Sequence, residues 1–140
     1  MNEEEKLVRI YAKAWNRLDP KILEPYLADD VVYDSQMVLD SLVGKEVVYE
    51  FIKGKMQTIK KNRHVSDVFA EVGYCSNQNG YNVIAFSAWE NRPCVVLAQG
   101  HSENLVGIAL LDTEDGKIKR IGLCIVPPPW SATRTGEYPE

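Results

Sequence analysis

The sequence predicts an α+β domain, with helices first and a mostly antiparallel sheet after them. Three observations predict it. Apolar residues recur at helical spacing as far as Ile59. From His64 onward, runs rich in Val, Ile, Phe and Tyr alternate with turn chemistry. Many of those runs are apolar at successive positions, as in Val95 to Ala98 and Ile108 to Leu111, which puts both sheet faces under cover.

The elements follow in order. Asn2 with Glu5 reads as a helix N-cap and capping box. Leu7, Ile10, Tyr11, Ala14, Trp15 and Leu18 then make one apolar face of a first helix. Asp19-Pro20 opens a short second helix, with Ile22, Leu23, Tyr26 and Leu27 inward. "VVYDS" is a short strand, and "SLVG" leads into a third helix with Val47, Val48, Phe51, Ile52, Met56 and Ile59 as its apolar positions. Gly54 inside that helix costs about 1 kcal/mol against Ala, and a close approach to a neighbouring strand would explain it. Four β stretches follow, "HVSDVFAEVGY", "YNVIAFSAWE", "PCVVLAQGHSENLVGIALLDT" and "KIKRIGLCIV", with "SNQNG", "ENRP" and "EDGK" as turns. The third is one bent strand or two broken at Gly100.

With 140 residues and no linker, the chain reads as one domain over residues 1–126 with a Pro-rich tail over 127–140. The tail cannot enter a sheet interior, and only Trp130 in it has much apolar area to bury. Removing the tail is expected to change ligand binding more than stability. If one sheet face meets the helices, the other is expected to meet a second subunit, giving a homodimer.

Composition excludes several function classes. A net charge of −4, without a long run of one sign, suits neither nucleic acid nor an anionic membrane. The Lys-rich "KGKMQTIKKNR" reads as a solvated helix face. No apolar run is long enough to span a bilayer, and "MNEEEK" lacks the order of a signal peptide, so a cytoplasmic location is expected. Three scattered cysteines, Cys75, Cys94 and Cys124, read as core thiols rather than a disulfide framework or zinc site. No metal or other cofactor is implied.

"YAKAWNRLDPKILEPYLADDVVYDS" followed by "LVGKEVVYEFIKGKM" resembles the nuclear transport factor 2-like superfamily, in its SnoaL-like and ketosteroid-isomerase-like branch. The likeness lies in Trp15-Asn16, the Asp19-Pro20 helix, "LADDVVYDS" and Gly44-Lys45 opening the third helix, and it extends to about Val126. The resemblance implies a cone: a curved sheet wraps a long helix, the first helices close the open side, and a mostly apolar pocket lies within. The superfamily hosts isomerases, dehydratases, cyclases, hydrolases and proteins without chemistry, so the fold alone does not choose among them.

Asp34 falls within a residue of the aspartate that isomerase-like members use as general base, and Tyr11 falls where they place an oxyanion donor. Such a pair is suited to moving a proton beside a carbonyl in a water-poor site. Against this, Asp34 could simply end a strand, and Tyr11 and Trp15 could be core. The second acid of the isomerases falls at an apolar residue, about Ile108, so half the oxyanion hole is missing. Asp112 sits beside a turn, away from where cyclases keep their late-strand aspartate. A dehydratase needs a His pair, and His64 and His101 are the only histidines.

Trp15, Tyr33, Tyr49, Trp89, Gln99 and His101 are candidate pocket walls. Trp89 alternates with Ser87 and Ala85, so the three share one strand face. The reading is a pocket for a small, partly apolar molecule with cofactor-free proton transfer as its chemistry. The alternative is a binding or interaction module without turnover, in which Trp15, Phe51, Met56 and Trp89 fill the cone.

Overall fold

The computed structural model describes residues 2–77 and 89–140, leaving the side chains of Leu39, Asn77, Trp89 and Glu90 outside the description. Helix α1 (Glu3–Arg17) begins with the expected box: Glu5 N–H donates to Asn2 Oδ1 at 2.8 Å, and Glu5 returns its carboxylate to the Asn2 amide. It ends at Leu18, whose φ of 51° turns the chain into the Asp19 cap. The expected second helix is two 3-10 turns, Pro20–Ile22 and Glu24–Tyr26, since Pro25 interrupts any longer helix. Leu23 and Leu27 are buried as the spacing required.

Strands β1 (Leu27–Ser35) and β2 (Val38–Val43) form a hairpin before helix α2 (Lys45–Lys61) and the single turn α3 (Arg63–Ser66). Strands β3 (Val68–Asn77), β4 (Trp89–Gln99), β5 (Leu105–Glu114), β6 (Lys117–Cys124) and β7 (Thr133–Glu137) complete a seven-stranded sheet in the order β2-β1-β6-β5-β4-β3-β7. The β1–β6 pairing is parallel and the others are antiparallel. The chain breaks after Gln99 at Gly100, whose φ of 81° a side chain would strain. Residues 90–93, expected as a turn, lie inside β4. Pro93 is tolerated there because β5 pairs with β4 only from Val95 onward.

The concave face carries the main core. Leu7, Tyr11 and Trp15 of α1 and Val48, Ile52 and Met56 of α2 pack on Val31, Val72, Val95, Ala109, Leu111 and Ile121. Asn16 ties α1 to the sheet by acting as a strand. Its side chain accepts from Ala70 N–H at 2.7 Å and donates to Ala70 C=O at 2.8 Å. Two expected helix positions differ. Val47 is 50% exposed, and a Cβ on Gly54 would meet nothing within 4 Å. No close strand explains that glycine.

The convex face holds a second, smaller core of Cys75, Cys94, Val96, Ile108, Leu110, Cys124 and Ala132. All three cysteines therefore fill core space, as expected. The chain buries this face with its own strap: after β6 it crosses β5 through a 3-10 turn, Pro129–Ser131, and reaches the far edge as β7. Gly73 makes room for the crossing, because a Cβ there would sit 2.8 Å from Val96 Cγ2 and 3.0 Å from the Thr133 carbonyl. Most of the apolar runs that suggested a second subunit are thus buried within one chain, although Val106 is 42% exposed. The segment expected to stand apart after Val126 joins the sheet, although only at its edge, and Trp130 is 74% exposed.

A buried carboxylate fastens the strap. Glu71, 3% exposed, accepts from Arg134 Nε at 2.7 Å, Gly136 N–H at 2.8 Å and the Tyr138 hydroxyl at 3.3 Å. Removing the tail takes this anchor with it, so a cost in stability is expected beside any change in ligand binding. Arg134→Ala leaves Glu71 buried beside neutral donors, and urea unfolding should show a loss of about 2 kcal/mol. Gly54→Ala should raise stability by up to about 1 kcal/mol, read as a melting temperature higher by about 3 °C.

Candidate functional site

A cavity of about 220 Å³ opens between α1, α2 and the concave sheet face. Tyr11 and Trp15 line it from α1, Tyr33 from β1, Lys55 and Ile59 from α2, and Leu97 and Gln99 from β4. Sequence reasoning named Tyr11, Trp15, Tyr33 and Gln99, and the fold brings all four together. It missed Met37, Lys55, Ile59, Val68, Leu97, Ala98, Val106 and Leu123. Lys55 left a signal: three residues after Ile52 and four before Ile59, it flanks the buried stripe of α2.

The polar groups on these walls are mostly donors. Burial pushes the Tyr11 hydroxyl well above the ordinary tyrosine range, and a charge on nearby Tyr33 would push it further. Trp15 pulls it back slightly, lying near that hydroxyl with ring centroids 6.3 Å apart but without hydrogen-bond geometry. Burial also pushes Tyr33 up to about 12. Its ring rests on Phe51, centroids 5.1 Å apart. Both tyrosines are therefore neutral O–H groups near neutral pH. Trp15 is 8% exposed, and its Nε1 has no hydrogen-bond partner among the described residues. Buried donors of this kind are rare, because each loses its water without a replacement.

Asp34 is placed elsewhere. Neighbouring strand residues point to opposite faces. Tyr33 faces the cavity, so Asp34 faces the convex side, where its side chain is 14% exposed. There it accepts from the Ser41 hydroxyl and the Arg120 guanidinium. Arg120 continues to Asp112 at 3.8 Å, Asp112 to Arg92 at 2.7 Å, and Arg92 to Glu4 at 3.1 Å. This chain of charges crosses the outside of the sheet from β2 to α1. Asp34 is not among the residues lining this cavity, and no Asp or Glu lines it among the described residues. Ile108, the position of the absent second acid, is also on the convex face.

The remaining candidates disperse. Tyr49 is half-buried on α2, raised by burial and by the charges of Glu24, Glu50 and Asp19, and is not on the cavity wall. His101 is exposed in the turn after Gln99, where its Nδ1 accepts from Glu103 N–H at 3.1 Å. Gln99, expected as a buried amide, is exposed at the cavity edge and donates to the Ser66 carbonyl at 3.3 Å. Trp89 opens β4 but its side chain lies outside the described residues, as do Ala85 and Ser87. Among the described residues no cluster of His, Cys, Asp and Glu could hold a metal, and no helix is long and apolar enough to cross a membrane.

The SnoaL-like domain model matches residues 7–121. The chain belongs to the SnoaL-like family. Its fold is similar to a nuclear transport factor 2-like protein of unknown function from Mesorhizobium loti, at 12% identity and TM-score 0.59, with 96% of this chain and 92% of that one covered. It is similar to a steroid delta-isomerase from Pseudomonas aeruginosa, at 16% identity and TM-score 0.55, covering 88% and 79%. An LEH-like epoxide hydrolase from M. tuberculosis is similar at 18% identity and TM-score 0.51, covering 86% and 76%. No curated protein matches the chain significantly. At these identities the likeness is one of fold. This SnoaL-like domain has the cone that the resemblance implied, with α2 in its concavity and α1 closing the open side.

The buried tyrosines make a pH prediction. Tyr33 is an acid whose value rises from 10.0 unfolded to about 12 folded. Its contribution to stability is full below pH 10 and is lost as pH climbs toward 12. Chemical denaturation should show stability falling over that window, less steeply in Tyr33→Phe.

Proposed function

We propose that this SnoaL-like domain binds a small, mostly apolar molecule with a hydrogen-bond-accepting group, inside the cone. The observation that carries this reading is Trp15 Nε1, a buried donor on the wall of a cavity that makes no hydrogen bond among the described residues. Leaving such a donor unmet costs about 1–3 kcal/mol, and a ligand oxygen relieves that cost. The hydroxyls of Tyr11 and Tyr33 are further neutral donors on the same wall. Apolar walls from Leu97, Ile59 and Val68 supply the rest of the contact.

Size narrows the ligand. Benzene fills a cavity of about 150 Å³. By that scale 220 Å³ holds about nine non-hydrogen atoms, too few for a four-ring steroid. Met56 and Phe51 already occupy much of the cone, Met56 as core and Phe51 packed against it. Proton transfer with Asp34 as base has less support. Asp34 would have to leave Arg120 and Ser41 and change faces of β1. Binding without turnover accounts for the walls as they stand.

Acetophenone has the size and the acceptor this reading asks for. At millimolar concentration it should shift the Trp15 indole N–H signal in nitrogen-15 NMR, saturably, with Trp15→Phe giving the assignment. Val106→Phe, which adds bulk at the cavity wall, should weaken the effect several-fold. A Trp15 signal unmoved by acetophenone, phenol, benzamide and benzoate alike would overturn the reading.

A further inference from the structure

We infer that the ligand also carries a carboxylate, seated against Lys55 where the cavity opens along α2. This rests on the binding reading above and adds the ligand's charge to it. The first ground is the distribution of charge on the walls. The chain has more acids than bases, 20 against 16. Yet Lys55 is the one charged residue among those described on the cavity wall. Inside the cavity, an anion meets no carboxylate on the wall among the described residues.

The second ground is the state of Lys55. It makes no ion pair among the described residues, so no carboxylate there competes with an incoming one for its ammonium. Its Nζ lies 5.3 Å from the centre of the Phe51 ring, one helical turn earlier. That ring also supports Tyr33, so the ammonium is held beside the cavity wall. An open groove along α2 shares Lys55, Ile59 and Gln99 with the cavity. Lys55 therefore stands where the two meet. Glu50, the acid of that groove, is outside the cavity wall.

The third ground is polarity along the site. Lys55 stays exposed and hydrated, so an incoming carboxylate can pair with it without entering the apolar interior. The buried indole N–H of Trp15 then asks for a second, neutral acceptor at the inner end. A hydroxy or oxo carboxylic acid of about ten non-hydrogen atoms meets both requirements and the volume.

The probes are 4-hydroxybenzoate and 4-hydroxybenzamide, which match in shape and differ in charge. Dissociation constants come from the Trp15 indole signal, on wild type and on Lys55→Gln. The acid is expected to bind about fivefold tighter than the amide, with the gap closing in Lys55→Gln and shrinking at high salt. Equal affinity of acid and amide in the wild type would overturn the charge assignment and leave the binding reading intact. A gap that survives Lys55→Gln would overturn the role of Lys55. If neither probe moves the signal, and acetophenone does not either, the binding reading itself falls.

Discussion

Side chains leave β1 on alternate faces, and that constraint decides what chemistry the cavity holds. Tyr33 goes in and Asp34 goes out. Each side is fixed by its own partners. Inside, Tyr33 packs on Phe51 below α1. Outside, Asp34 is the second link in a chain from Ser41 through Arg120, Asp112 and Arg92 to Glu4. A slip of one residue would expose an aromatic ring, bury a carboxylate and part Asp34 from Ser41 and Arg120 at once. The register is therefore held from both faces, and the cavity is left with hydroxyls and an indole rather than a base.

The second organising feature is the strap. A curved sheet with one face on helices has another face to cover, and here the chain covers it itself. The Pro-rich segment suits this task. It crosses the convex face as a 3-10 turn with Pro129 buried and donates no hydrogen bonds that the crossing could not satisfy. Gly73 lets it pass close, and Glu71 receives Arg134 at the landing point. Asn16 joins the two ends of the fold, because its side chain also donates to the Pro139 carbonyl at 2.8 Å. Cavity wall and strap thus meet at one helical turn, with Trp15 facing the cavity and Asn16 holding β3 and the tail.

Much of this was legible in the sequence. The Asn2–Glu5 box, the Asp19-Pro20 start and, Val47 apart, the buried stripe of α2 are local signals with local causes, and they appear as read. The break at Gly100 was one of two readings, and its positive φ settles which. The failures have physical reasons too. Residues 90–93 carry turn chemistry, but their pairing with β3 overrides it. Strand β2 mixes Asp40 and Ser41 with apolar residues and gains strand form only by pairing with β1. Asp34 was placed to within one residue, which along a strand is a whole face. Lys55 looked like one charge in a solvated Lys-rich helix. Only the path of the sheet brings it to the cavity, and an indole N–H without a hydrogen bond among the described residues leaves no trace in sequence.

The placement of Asp34 is the claim on which the functional account turns. The most direct test is a double-mutant cycle of Asp34→Asn and Arg120→Gln, with unfolding free energy and acetophenone affinity measured on all four proteins. The account predicts a stability coupling of about 1 kcal/mol between the two residues, with affinity unchanged in every variant. Loss of binding in Asp34→Asn, with no coupling to Arg120, would put the carboxylate in the cavity and contradict the account.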